Sequence, residues 1–176
     1  MECFEIKWTG PFHVEEVLNQ PEARRKGVYY FYKKVSSINK PQYIGKAQNF
    51  GERINTHNQG LSRFEDDKDK KKIFVHIGTI FSFEKDLPDN DITPEQLKVV
   101  ESFLINSLQP QGNGEATKKG FKHTPVIIAN TGKLPPNKAG TAKIDKVMSH
   151  SPQFLTLLKS NLAKKTASST KSDSWF

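Results

Sequence analysis

The sequence of 176 residues contains a single cysteine, Cys3. One cysteine excludes a disulfide within the chain and a zinc site built from several cysteines of the same chain. Long apolar runs are also missing, so no segment approaches the roughly 20 residues that a membrane-spanning helix needs. The first residues include Glu2 and Glu5, where a secretory signal carries basic residues and then an apolar run. We therefore expect a soluble cytoplasmic protein that does not associate with membranes.

Acidic residues are scarce in the C-terminal third of the chain. Residues 113–176 hold 11 lysines, no arginine and three acids, and this excess equals the net charge of +8 of the whole chain. Lysine meets a phosphate as a point charge, whereas arginine offers a two-pronged geometry. The composition therefore indicates attraction to a polyanion such as DNA. A tail that only keeps the protein in solution has the same composition, and charge alone does not separate the two interpretations.

Aromatic and β-branched residues indicate where the first strands lie. Residues 27–34 read GVYYFYKK, which is typical of a strand covered on both faces. Residues 42–46 predict a second strand, joined to the first by a long loop rich in turn-forming residues. Residues 72–83 predict a third strand with apolar residues at alternate positions. We therefore expect a small three-stranded antiparallel sheet in a domain of the α+β class.

Two helices are predicted to flank this sheet, over residues 49–58 and 93–108. The second helix starts with Thr-Pro-Glu-Gln, which is typical of a helix N-terminus. Its apolar positions form a broad inward stripe, and Glu101 lies within that stripe. A carboxylate on a core-facing stripe is costly unless it is paired or bound to a metal ion. Glu101 is therefore a candidate site residue, and a structural ion pair with Arg53 or a lysine is the alternative.

Composition also divides the chain into segments. The region after residue 112 predicts a short strand near 126–129 and a helix over 152–164, and the final residues are rich in Ser, Thr and Lys. We expect an N-terminal lead-in, a core domain, a basic extension that contacts DNA and a disordered tail, over residues 1–26, 27–115, 116–164 and 165–176.

Several short motifs resemble those of the GIY-YIG nuclease family. Residues 27–29 read GVY and residues 43–45 read YIG, and these segments are similar to the two that name the family. Four later residues match the family in order, namely Lys46, Arg53, Glu101 and Asn113. The resemblance spans about residues 25–115. The additional His57 lies one helical turn after Arg53, and in this feature the chain resembles the restriction-endonuclease branch of the family.

The resemblance implies a DNA-cutting site with one divalent metal ion. Glu101 would hold Mg²⁺, or Mn²⁺ in its place, because a hard carboxylate suits a hard cation. One carboxylate is too few for a two-metal site. Tyr29 would take a proton from the attacking water, and Lys46 would lower the pKa of this phenol from its usual value of about 10. Tyr43 would orient the water or the phosphate.

The same resemblance assigns roles to three further residues. Arg53 would contact a phosphate oxygen and stabilise the charge of the transition state. His57 would hydrogen-bond to Tyr29 or to the phosphate, and a surface position on the helix is the alternative. Asn113 would position the strand that carries Tyr29 through its side-chain amide.

These features predict a Mg²⁺-dependent endonuclease that hydrolyses phosphodiester bonds of DNA. A type II restriction enzyme that acts as a homodimer on DNA when it cuts both strands fits the small size of the chain. Two other functions stay open on the sequence alone. One is a structure-selective or mobile-element nuclease that nicks one strand, and the other is a DNA-binding module that keeps the fold without catalysis.

Overall fold

The computed structural model describes residues 2–56, 71–82, 92–123 and 125–149. In these ranges the strands form one mixed sheet, in the spatial order β3-β2-β4-β1-β5-β6. The strands are β1 (Glu2–His13), β2 (Gly27–Val35), β3 (Ile38–Ala47), β4 (Ile73–Ser82), β5 (Val126–Gly132) and β6 (Val147–Ser149). The α-helices are α1 (Val14–Val17), α2 (Phe50–Thr56), α3 (Pro94–Leu108) and α4 (Gly114–Lys119), and 3₁₀ turns cover Pro21–Arg24 and Gln111–Asn113.

The α+β content is confirmed, but the prediction of a three-stranded antiparallel sheet is wrong. The predicted unit exists as β2, β3 and β4, and β4 matches the strand expected over residues 72–83. Three more strands extend it, because β1 pairs with β4, β5 runs parallel to β1, and β6 pairs with β5. Pairing between segments more than a hundred residues apart is set by tertiary packing, which local alternation of residues does not reveal.

The β2–β3 hairpin is tighter than the sequence suggested. The two strands pair from Gly27 opposite Ala47 to Val35 opposite Ile38. The connection is therefore only Ser36 and the residue after it, instead of the long loop that was predicted. Ser36 has a φ of 54°, the left-handed conformation that two-residue hairpin turns require. The hairpin consequently extends well beyond the two motifs and has a distinct tip.

Both faces of the sheet are covered, as expected for the aromatic strand β2. On one face Tyr30 and Tyr32 are buried with Leu104 of α3. On the other face Phe31 is buried with Phe50 of α2. Successive residues of β2 therefore belong to different cores, because side chains alternate along a strand. The expectation that this strand is covered on both faces is confirmed.

Helix α3 occupies the predicted residues and begins at a capping box. The Thr93 hydroxyl accepts from the N–H of Gln96 over 3.2 Å, and the Gln96 side chain accepts from the N–H of Thr93 over 3.1 Å. No helix within the described ranges is long and apolar enough to cross a membrane. The helix predicted over residues 152–164 and the tail predicted over 165–176 lie outside the described residues.

Candidate active site

The register of the β2–β3 hairpin brings Tyr29 and Tyr43 together. Tyr29 lies opposite Gly45, and Phe31 lies opposite Tyr43. The two phenols are therefore diagonal neighbours on one face of the sheet. Their ring centroids are 6.1 Å apart and the ring planes are inclined by 29°. The tyrosines of the two motifs thus lie side by side.

Gly45 has a steric role in this arrangement. The ring of Tyr29 lies over the backbone of Gly45, and a Cβ atom there would overlap the hydroxyl oxygen and the ring carbons of Tyr29. A glycine is therefore required for the phenol to rest on the neighbouring strand. This explains, in physical terms, why the second motif ends in a glycine.

Tyr29 is buried, and the pKa of its hydroxyl is raised. It is 7% exposed, and its ring centroid is 4.8 Å from that of Phe50 of α2. Burial raises the pKa of Tyr29 to about 12, and Tyr43 contributes to the increase. A hydrogen bond with Arg53 and the positive charge of Arg53 lower the pKa, whereas Glu101 raises it. The hydroxyl is therefore protonated near neutral pH unless further positive charge is added.

The cation that lowers the pKa of Tyr29 is Arg53, whereas the sequence suggested Lys46 for this role. Lys46 lies opposite Val28, so its side chain projects from the other face of the hairpin. There it forms an ion pair with Glu101, with 2.5 Å between Nζ and Oε2. Arg53 lies on α2, which follows β3 and packs beside Tyr29, and its side chain is exposed.

Glu101 lies at the middle of α3 and faces β3. Its side chain is 17% exposed, and the preceding turn of the helix presents the buried Leu97 on the same side. The ion pair with Lys46 offsets the cost of placing this carboxylate among apolar neighbours. The alternative considered from the sequence, pairing with a lysine, is therefore present. Glu101 also borders the same cleft as the two tyrosines.

An open cleft of about 400 Å³ lies between β3, α2 and α3. Five of the seven predicted site residues border it, namely Tyr29, Tyr43, Lys46, Arg53 and Glu101. They come from four elements of the fold. Side chains separated by up to 72 positions in the sequence thus share one concave surface.

Three polar residues of the cleft were not singled out as site residues from the sequence, and they are Gln48, Asn49 and Glu52. They belong to the connection between β3 and α2 and to the first turn of α2. The Oδ1 of Asn49 accepts from the N–H of Glu52 over 3.2 Å, which is the hydrogen bond of a helix N-cap. The signal in the sequence was the asparagine directly before the amphipathic pattern of α2.

Asn113 does not border the cleft but supports the strand that does. Its side-chain amide donates to the carbonyl oxygen of Ile44 over 2.9 Å and accepts from the N–H of Ile44 over 2.8 Å. The contact is therefore with β3, not with the strand of Tyr29 as predicted. Since β3 is an edge strand, Asn113 satisfies backbone groups that no neighbouring strand pairs. Ile44 directly precedes Gly45, so this contact also holds the surface on which Tyr29 rests.

The donors of the cleft fit one hard cation. Within the described ranges no group of three or more His, Cys, Asp or Glu side chains could hold a metal ion by itself. Glu101 and Glu52 both border the cleft, and Mg²⁺ is commonly bound by one or two carboxylates together with water and phosphate oxygens. A substrate phosphate would complete such a site. His57 lies outside the described residues, so its predicted role stays a prediction.

One comparison with known proteins identifies the family. The family model of the GIY-YIG catalytic domain matches residues 25–115, which is just over half of the chain. No curated protein and no solved structure gives a match. The matched range contains both tyrosine motifs, Arg53, Glu101 and Asn113, and a domain of this kind is an endonuclease domain with DNA as its substrate. The chain belongs to the GIY-YIG nuclease family.

Proposed function

We propose that this chain is a Mg²⁺-dependent DNA endonuclease of the restriction type, which hydrolyses phosphodiester bonds with one metal ion per active site. The observation that carries the proposal is the composition of the cleft. Two phenols, a guanidinium, an ammonium and the carboxylate of Glu101 border, together with Glu52, one open space of about 400 Å³. Each of these groups suits a separate task in phosphodiester hydrolysis, which needs a base, a phosphate clamp and positive charge at the leaving oxygen.

Arg53 is assigned to the phosphate. Its side chain is exposed at the cleft, and a guanidinium can donate two parallel hydrogen bonds to phosphate oxygens. Negative charge increases on these oxygens as the attacking bond forms, so Arg53 stabilises the transition state more than the ground state. The hydrogen bond between Arg53 and Tyr29 then keeps the phosphate next to the proposed base.

Tyr29 is assigned to the proton transfer. The water oxygen forms a bond to phosphorus, the phenolate oxygen of Tyr29 accepts the water proton, and the phosphorus–oxygen bond to the leaving strand breaks. Because the pKa of Tyr29 is about 12, only a small fraction of the phenol is ionised at neutral pH. Positive charge in the cleft increases that fraction, and Arg53 provides part of it. Tyr43, stacked beside Tyr29, is placed to orient the water.

Glu101 is assigned to Mg²⁺, which agrees with the use of divalent ions by GIY-YIG nucleases. When bound there, the ion supplies positive charge that neutralises the leaving oxygen. Lys46 keeps the carboxylate oriented toward the cleft through the ion pair at Oε2. The proposal further includes the basic extension of residues 116–164 as a DNA contact and a homodimer for cutting both strands.

A plasmid cleavage assay tests the proposal. Supercoiled plasmid is incubated with the protein in Mg²⁺ and, separately, in EDTA. Discrete linear fragments that require Mg²⁺ are the expected result. Single-strand nicks without fragments would indicate a structure-selective or mobile-element nuclease. Plasmid that stays intact while the protein binds DNA would indicate a binding module.

A pair of glutamate variants tests the metal assignment. Glu101→Gln keeps the size of the side chain and removes its charge, so cutting should be lost while DNA binding is retained. Glu115→Gln is the matched control, because Glu115 is an exposed residue of α4 and the charge change is the same. Normal cutting by Glu101→Gln would show that the metal ion is bound elsewhere.

A further inference from the structure

The tip of the β2–β3 hairpin is joined to a loop 101 positions later in the sequence. The backbone N–H of Asn39 donates to the carbonyl oxygen of Gly140 over 3.1 Å, and the Asn39 side-chain amide donates to the same oxygen over 3.4 Å. Gly140 is buried, and a Cβ atom at this position would overlap the backbone of Asn39. The hairpin tip and the loop therefore form one packed unit.

The loop itself is a tight turn around Gly140. The N–H of Asn137 donates to the carbonyl oxygen of Ala142 over 2.8 Å, and Pro136 and Lys143 form an antiparallel bridge. Gly140 has a φ of 73°, a left-handed conformation that favours glycine. This turn holds the residues on either side of Gly140 close to the tip of the hairpin.

Three exposed lysines surround the contact between the hairpin and the loop. Lys34 lies opposite Asn39 in the hairpin, so the two side chains share one face. Lys138 and Lys143 flank Gly140 in the turn, and all three lysines are exposed. We call these three residues the hairpin-tip surface.

Positive charge exceeds negative charge around these lysines. Residues 27–47 contain neither Asp nor Glu, and Asp145 is the acid that borders the same pocket as Lys138 and Lys143. In the part of the chain that the structure describes, no salt bridge involves any of the three. Like charges held together in this way repel one another, and a bound polyanion would offset the repulsion. The surface therefore has the charge pattern of a phosphate-backbone contact.

The position of the surface relative to the cleft fits a nucleic acid that spans both. Lys34 is five residues from Tyr29 along β2, which corresponds to about 17 Å at the rise of a β-strand. A DNA strand advances by about 3.4 Å per nucleotide, so this distance covers about five base pairs. Edge strand β3 runs from the tip to the cleft, and Lys34 projects from the same face of the hairpin as Lys46, which is opposite to the face of Tyr29.

We propose that the hairpin-tip surface binds the phosphate backbone of duplex DNA about five base pairs from the scissile bond. The inference rests on the proposed function, because it places a second contact on the same DNA. It assigns lysines of the basic extension and one lysine of the nuclease core to a single phosphate-binding surface. Lysines without arginines indicate a contact that positions the duplex and does not read its bases.

Lysine acetylation in the presence of DNA tests the placement directly. The full chain is kept in EDTA to prevent cutting and is treated with an acetylating reagent, with and without saturating random-sequence duplex of about 24 base pairs. Mass spectrometry should show that Lys34, Lys138 and Lys143 are protected by the DNA. Lys7, an exposed lysine of β1, is the internal control and should react equally in both samples. Unchanged acetylation of the three lysines would overturn the proposal.

The salt dependence of DNA binding gives a second readout. The triple variant K34Q/K138Q/K143Q should bind the same duplex with a salt slope lower by about 3, since each phosphate contact contributes about 0.9. The variant K34R/K138R/K143R keeps the charges and should retain the wild-type slope. The single control Lys7→Gln should leave the slope unchanged. An unaltered slope in the triple glutamine variant would refute the surface.

These results separate the surface from the enzyme. If the wild-type protein neither binds nor cuts DNA, the proposed function fails. If the wild-type protein cuts plasmid but the three lysines remain unprotected and the slope is unaffected, only the hairpin-tip surface is wrong.

Discussion

Replacing Gly45 with alanine is the sharpest test of the architecture of the site. The added methyl group would overlap the hydroxyl oxygen and the ring of Tyr29. To restore ordinary van der Waals separation, the phenol has to withdraw by about 1 Å. Overpacking of this kind typically costs about 1–3 kcal/mol, whereas alanine in a strand interior is otherwise favoured over glycine by about 0.5–1 kcal/mol. We expect Gly45→Ala to lower the free energy of unfolding by about 1–2 kcal/mol.

The effect of Gly45→Ala on cutting should be larger than its effect on folding. A displacement of about 1 Å in a reacting group can reduce a rate on the order of 100-fold. We therefore expect kcat for plasmid cleavage to fall by about that factor, while the affinity for DNA in EDTA changes little. Urea unfolding of the same preparations shows that the protein is still folded.

Gly51→Ala is the matched control for this prediction. Gly51 lies in α2 near the cleft, and the nearest atom to a Cβ there is the Asn49 Oδ1 at 3.5 Å, an ordinary contact. Alanine in a helix is more stable than glycine by up to about 1 kcal/mol. Gly51→Ala should therefore cut DNA normally and unfold at higher urea. A Gly45→Ala protein that cuts at the wild-type rate would refute the proposed dependence of catalysis on the position of Tyr29.

The remaining predictions concern the base, the edge strand and the hairpin tip. Tyr29→Phe should reduce kcat by about 10²- to 10⁴-fold without weakening DNA binding, and the rise of the wild-type rate with pH should disappear. The raised pKa of Tyr29 stabilises the folded state below pH 10, and this stabilisation is lost as the pH rises toward 12. The difference in free energy of unfolding between the wild type and Tyr29→Phe should therefore decline from pH 10 to pH 12, which urea titrations at each pH measure. Asn113→Ala removes two hydrogen bonds to edge strand β3 and should lower the free energy of unfolding by about 1–3 kcal/mol and reduce activity. An unchanged melting temperature would contradict the role of Asn113 in holding β3. Gly140→Ala should destabilise the protein by about 1–3 kcal/mol more than Gly120→Ala. Both glycines have a positive φ, but only a Cβ atom at position 140 would overlap a neighbouring backbone. Equal losses of stability would show that the loop adjusts to the added methyl group.

Much of the candidate cleft could be predicted from the sequence because its residues lie on regular elements. The register of a short hairpin places Tyr29 beside Tyr43, and helical periodicity places Glu101 on the inward side of α3. Both inferences rest on local geometry, which repeats every two residues in a strand and every 3.6 residues in a helix. The partners of these side chains were less predictable. Lys46 binds Glu101 and Arg53 acts on Tyr29, because the alternation of β3 sends Lys46 to the opposite face.

The sequence by itself determined the family, the α+β class and the two motifs that carry the tyrosines, since these depend on residue type and short spacing. Only the tertiary structure decided that the sheet has strands from both ends of the described chain, that Asn113 braces β3, and that Asn39 meets Gly140. The physical reason is that such contacts join positions 69 to 124 residues apart. Their formation depends on how whole elements pack, and short-range patterns of residues carry no information about it.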